Sequence, residues 1–325
     1  MGWTGASSAR MPVRWFTMLR AADGGSSASW AGAPHAPRRM GLRVPPGPVR
    51  SILWGLLAAL ALQGMLYGRD WLEERTPEPR ADPVLLQSFG PQFDLEPRGS
   101  FRLPELELIT GDAQPFGSYL HVTYPAGSAS PAASRTDGAP RGGVQFYLRS
   151  RAELGGQAHL RYFLRLPEGF DFVRGGKLPG LYGGAANASG ARSGGAEAEG
   201  VSARFGWSEK GAGEVYLYSS AAGGEAASLG RGAWSWPTGR WVCVEQQVDL
   251  GAAGADSGEI SVRVDDQLVW QQGGLALRDG GLQLDGVYFS TFFGGKDTSW
   301  ATPREQTADL AGLRIADSRI GCAPR

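Results

Sequence analysis

Lys177 is one of three lysines in a chain of 325 residues that carries 29 arginines, and it stands in Gly175-Gly-Lys-Leu-Pro-Gly-Leu181, between a glycine pair and Leu-Pro-Gly. Arginine keeps its proton at any pH a protein meets, whereas burial can tune a lysine amine to release it. Set against chance placement of one lysine in three, the motif points to a chemical need for an amine that titrates. A second constellation lies on two strand-like runs, Val201-Ser-Ala-Arg-Phe-Gly-Trp207 and Glu214-Val-Tyr-Leu-Tyr-Ser219. Period-2 alternation turns Val201, Ala203, Phe205, Trp207, Val215 and Leu217 to one face. Ser202, Arg204, Tyr216 and Tyr218 then share the other, a polar floor of one hydroxyl, one guanidinium and two phenols. The same pattern also describes the solvated face of an ordinary antiparallel hairpin.

Other chemistries find less support. A retaining glycosidase needs two carboxylates about 5–5.5 Å apart; no Glu-x-Asp-x-x-Glu strand is present, and Glu168 and Asp171 flank a turn. The three histidines, His35, His121 and His159, are scattered, so no metal site is expected. The glycine-rich stretches lack the strand and helix context of a phosphate loop. A formal net charge of zero gives no reason to expect nucleic acid. Two cysteines, Cys243 and Cys322, exclude a four-cysteine zinc site; they form either one disulfide tying the C-terminal tail to a core strand or two buried thiols. Asn187-Ala-Ser189 is a glycosylation sequon.

The elements that position these residues read as strands. Ten runs, at 119–124, 144–149, 159–166, 201–207, 214–219, 241–248, 259–264, 268–272, 282–293 and 310–315, alternate with glycine-bearing turns, and no helix of ten or more residues is credible. This predicts an all-β domain, a jelly roll or antiparallel β-sandwich, over 101–325. Val262–Trp270 reads as a hairpin turning at Asp265-Asp266, while 126–141 and 185–200 read as long loops. Ahead of the domain the charge is uneven. Residues 1–50 hold seven arginines and one aspartate, +6, which leaves −6 for the remainder. The uncharged run 51–67 fits a signal-peptide core or a membrane anchor equally, and either places the domain outside the cytoplasm. Residues 68–100, rich in proline and charge, read as a linker.

Gly175–Leu181, Ser202-x-Arg204, Tyr216-x-Tyr218 and Tyr288-Phe-Ser-Thr-Phe-Phe-Gly-Gly295 together resemble polysaccharide lyase family 14, which includes alginate and glucuronan lyases on a β-jelly roll. The resemblance spans roughly residues 106–315 and departs from the family in the apolar N-terminal run, the Ala/Gly-rich loop and Cys322. It implies a cofactor-independent β-elimination on an acidic polysaccharide, by a monomer, with the family's functional residues falling on Lys177, Ser202, Arg204, Tyr216 and Tyr218. A uronate's C5 proton is weakly acidic while its carboxylate stays charged, so Arg204 would neutralise the carboxylate and stabilise the enolate-like charge. Lys177 would be the base and Tyr216 or Tyr218 the acid, or the reverse, with Ser202 positioning. Gln145 and Arg149 offer further contacts or ordinary surface placement. The alternative is a non-catalytic, lectin-like sandwich in which Trp207, Trp270 or Trp300 stacks on sugars.

Overall fold

Short alternating runs punctuated by glycines fold into two seven-stranded antiparallel sheets packed face to face. The computed structural model describes residues 91–113, 115–184 and 199–323. Segments 1–50 and 51–67, with His35 and Asn187, lie outside them, and no helix of the described residues is long and apolar enough to cross a membrane. In spatial order the first sheet is β1 (Phe93–Phe101), β4 (Val144–Ser150), β13 (Leu284–Phe293), β6 (Gly175–Gly184), β7 (Gly200–Ser208), β8 (Gly213–Ser219) and β9 (Ala226–Leu229). The second is β12 (Gln267–Leu275), β11 (Gly258–Val264), β10 (Trp241–Asp249), β5 (Gln157–Arg165), β14 (Gln306–Ala316), β3 (Gly117–Tyr124) and β2 (Glu107–Ala113).

The inner faces carry the apolar half of each alternation. Val201, Ala203, Phe205 and Trp207 of β7 and Val215 and Leu217 of β8 join Leu160, Tyr162, Leu164, Val242 and Val244 of the second sheet in one core. Each large side chain so buried contributes about 1.5–3 kcal/mol. The β11–β12 hairpin turns where predicted, with Asp265 and Asp266 at φ 49° and 67°, as a type I′ turn requires. Cys243 on β10 is joined to Cys322, with Cα atoms 5.7 Å apart.

Three expectations change. Strand β1 begins at Phe93, inside the stretch read as linker, because Phe93 enters the core and pairs with Ser150. The expected loop 126–141 contains a short helix, α1 (Pro131–Thr136), capped by Ser130, whose Oγ accepts from Ala133 N at 3.2 Å. The lysine segment is itself a central strand, β6, which the alternation rule does not detect.

The reason is a bulge. On β6 Lys177 opposes Gly206 and Gly180 opposes Arg204, so three steps along β6 match two along β7. Pro179 sits in that irregularity, a place in a central strand where the missing N–H is tolerated. Backbone groups released there are met from across the core: the Tyr162 hydroxyl donates to Pro179 O at 3.1 Å, and Leu181 N donates to Gln246 Oε1 at 3.1 Å. Leu178 and Leu181 stay in the core while Lys177 and Tyr182, of opposite parity, both turn outward. Unbroken alternation would put Lys177 on the face of Leu181.

Candidate active site

Register assembles the outer face of the first sheet in rows. One row crosses β13, β6, β7 and β8 as Phe292, Lys177, Gly206, Glu214; the next as Tyr288, Gly180, Arg204, Tyr216. A third carries Tyr182, Ser202 and Tyr218. All five residues singled out from the sequence therefore share one face of three adjacent strands. They are far from a solvated hairpin: Ser202 is fully buried and Arg204 is 6% exposed.

Two glycines stand in these rows where a Cβ would crowd the neighbouring strand. A Cβ on Gly180 would lie 2.0 Å from Ala203 O and 2.5 Å from Arg204 Cα. Across that bare position the Arg204 guanidinium reaches the Tyr288 ring, 4.6 Å from its centroid, with the Tyr216 ring at 5.3 Å. Its Nη1 donates to Ser290 Oγ at 3.1 Å, and its buried Nε has no hydrogen-bond partner. Gly206 likewise leaves a gap through which Lys177 Nζ comes to 3.7 Å from Glu214 Oε1. The same ammonium lies 3.4 Å from the centroid of the Tyr216 ring, a cation–π contact. The other oxygen of Glu214 accepts from Arg231 Nε at 2.8 Å.

Two cations, Lys177 and Arg231, share the Glu214 carboxylate, and Arg204 lies close enough to Lys177 to act on its amine, which leaves a local positive excess suited to an anion. Burial, reinforced by Arg204 and opposed by Glu214, pushes the Lys177 amine down to about 7. Near neutral pH the chain therefore holds a part-deprotonated amine beside a guanidinium and two phenols. Beside Arg204, Tyr147 stacks on Tyr288 with ring centroids 4.3 Å apart and meets Tyr182 edge-on at 4.9 Å. Burial pushes the Tyr182 phenol well up, so it stays protonated. Gln145, half-buried, opposes Ser290 on this face, whereas Arg149 is exposed.

Sequence reasoning missed Glu214 and Arg231, and it placed Tyr288 and Ser290 only within the 288–295 motif, not beside Arg204. Glu214 was within reach of it, being two residues before Tyr216 on the same face; Arg231 comes from the segment after β9 and has no periodic signal. The remaining candidates fall elsewhere. His121 and His159 lie on the second sheet, bonded to Asp309 and Glu245. Trp207 is buried in the core, the ring of Trp300 is covered by Arg174 at 4.7 Å, and Trp270 packs half-buried against the core. Among the described residues no group of three His, Cys, Asp or Glu side chains is placed to hold a metal ion.

Residues 113–313 match the family described as Polysaccharide lyase 14, and the chain belongs to that family. An alginate lyase of the same family from Aplysia kurodai superposes with a TM-score of 0.57 and 25% identity, covering 71% of this chain and 92% of that one. An alginate lyase from a Chlorella virus gives 0.58 and 21%, covering 74% and 99%. No curated protein matches the chain.

Proposed function

We propose that this lyase cuts a polyuronate by β-elimination, with chemistry centred on Lys177 and Arg204. The observation that carries the reading is the Lys177 amine, buried beside Arg204 and pushed down to about 7, which makes it a base at neutral pH. The uronate carboxylate pairs with the Arg204 guanidinium, which is held against the Tyr288 and Tyr216 rings on this face. Lys177 takes the C5 proton, and negative charge spreads toward the carboxylate, where Arg204 stabilises it. Tyr216 or Tyr218 gives a proton to the glycosidic oxygen as the C4–O bond breaks, leaving a C4–C5 double bond. Ser202, fully buried between Tyr182 and Tyr218, acts as a positioning residue beneath the site.

Alginate is the first substrate to try, since the Aplysia kurodai neighbour is an alginate lyase; glucuronan is the second. The protein, incubated with each, is expected to raise the ultraviolet absorbance of an unsaturated uronate. Folded protein that gives no such rise on a broad polyuronate panel overturns the reading. We further propose that the domain works outside the cytoplasm, a reading supported by the Cys243–Cys322 disulfide.

A further inference from the structure

Glu214 is a buried carboxylate, 5% exposed at its side chain, with two unequal cationic partners. Arg231 holds Oε2 in a charge-assisted hydrogen bond at 2.8 Å, whereas Lys177 stands 3.7 Å from Oε1, beyond hydrogen-bond range. Bare Gly206 leaves room for a closer approach, so the distance is not imposed by a side chain between them. The ammonium is instead seated on the Tyr216 ring. Arg231, 60% exposed, reaches the carboxylate from the solvent side.

We propose that Glu214 and Arg231 are positioning residues that act as a pair on Lys177: Glu214 supplies the counter-charge, and Arg231 restrains it from closing into a tight ion pair that would lock Lys177 as an ammonium. The charged and titratable groups around Lys177 are Arg204 from β7, Glu214 and Tyr216 from β8, and Arg231 from the segment after β9; β13 places Phe292 opposite. Among these the Glu214 carboxylate is the one negative charge that favours the ammonium, beside the face of the Tyr216 ring, and only Arg231 is hydrogen-bonded to that carboxylate. Arginine does not lose its proton, so its restraint holds across the working pH range.

The two variants must therefore move Lys177 in opposite directions, which general damage to the site would not do. The catalytic consequence rests on the reading of Lys177 as the base. Arg231→Gln frees the carboxylate and is expected to raise the midpoint of the acid limb of kcat/KM on alginate by about one pH unit. Glu214→Gln removes the counter-charge and is expected to lower it by about as much. A readout independent of turnover comes from the scarcity of lysine: with three in the chain, ¹³C-methylation gives few NMR resonances, and Lys177→Arg identifies the one to titrate. Midpoints that stay within a few tenths of a unit in that titration, or that move the same way, overturn the proposal. Opposite shifts by NMR without matching shifts in the rate profile leave the pair standing and remove Lys177 as the base. Should Glu214→Gln not fold, Arg231→Gln at the surface decides alone, by a rise or its absence.

Discussion

Both sheets bury charge on their outer faces, and they treat it differently. On the second sheet Glu245 accepts from His159 Nδ1 at 3.1 Å, Ile320 N at 2.7 Å and Gly321 N at 3.0 Å, while Asp309 accepts from His121 at 2.6 Å and Arg165 Nε at 2.8 Å. The C-terminal tail that supplies two of those donors is pinned by the disulfide at Cys322. There each carboxylate is matched within the protein. On the first sheet Lys177 at 3.7 Å and Arg231 at 2.8 Å share the Glu214 carboxylate, with Arg204 close to Lys177, while a buried guanidinium Nε without a partner occurs on both faces, Arg204 on the first sheet and Arg161 on the second. Removing one partner from a buried charge that the protein satisfies destabilises the structure, whereas cations that share one counter-charge keep positive charge for a ligand.

The sharpest way to break this contrast is to delete one charge from each face. Lys177→Ala is expected to lower turnover by about 10²–10⁴-fold without lowering the thermal midpoint, because the lost amine has no tight partner. In the parent enzyme kcat/KM should rise with pH through about 7 as that amine deprotonates. A parent profile with no inflection there, or a destabilised alanine variant with normal turnover, would reverse the roles of the two faces. Glu245→Gln should do the opposite, costing about 2–3 kcal/mol of stability with activity per folded molecule unchanged, measured by denaturant unfolding beside a rate assay. Burial raises the Glu245 carboxyl, but its bonds to His159, Ile320 and Gly321 hold it below the usual carboxylate range. Its contribution to stability is therefore complete above that range and is lost as pH falls through the depressed value.

A milder test is Arg204→Lys. The charge survives but the planar fork does not, so kcat/KM should fall about 10- to 100-fold with stability little changed. Full activity would mean that a point charge is enough on this face.

These two faces were not equally legible in the sequence. Alternation alone placed Ser202, Arg204, Tyr216 and Tyr218 together, and register confirms it, because β7 and β8 pair without a bulge. Partition between core and outside fixes such strands, since a one-residue slip would turn the polar set into the apolar core between the sheets. Lys177 was legible as a residue and not as a position: Gly-Gly-Lys-Leu-Pro-Gly contains the types least suited to a strand, and only the two flanking ladders make it one. Glu214 is the second residue of β8, where a carboxylate reads as solvated, and its hydrogen-bond partner Arg231 lies beyond the next strand. On the second sheet the match of Glu245 to tail residues 320 and 321 spans 75 and 76 positions, a separation at which periodicity carries no information.

Gln246 links the faces and gives the smallest expected effect. It stands on the core side of β10, fully buried, and the neighbours of its position along the strand, Val244 and Val248, are apolar. A buried amide there is costly unless it replaces a bond that would otherwise be missing. It does so for Leu181 N, released by the β6 bulge, in the strand that carries Lys177. Its own Nε2 has no hydrogen-bond partner, so part of the cost remains. Gln246→Leu removes that unsatisfied nitrogen but strands the Leu181 N–H, and the two changes offset to a net loss of about 1 kcal/mol. If the amide serves only the core, turnover per folded molecule will be unchanged. If it holds the bulge that aims Lys177, kcat/KM will fall several-fold, because Lys177 and Gly180, which opposes Arg204, flank that bulge. A drop in kcat/KM larger than the stability loss accounts for would tie the second sheet's core to the chemistry of the first sheet's outer face.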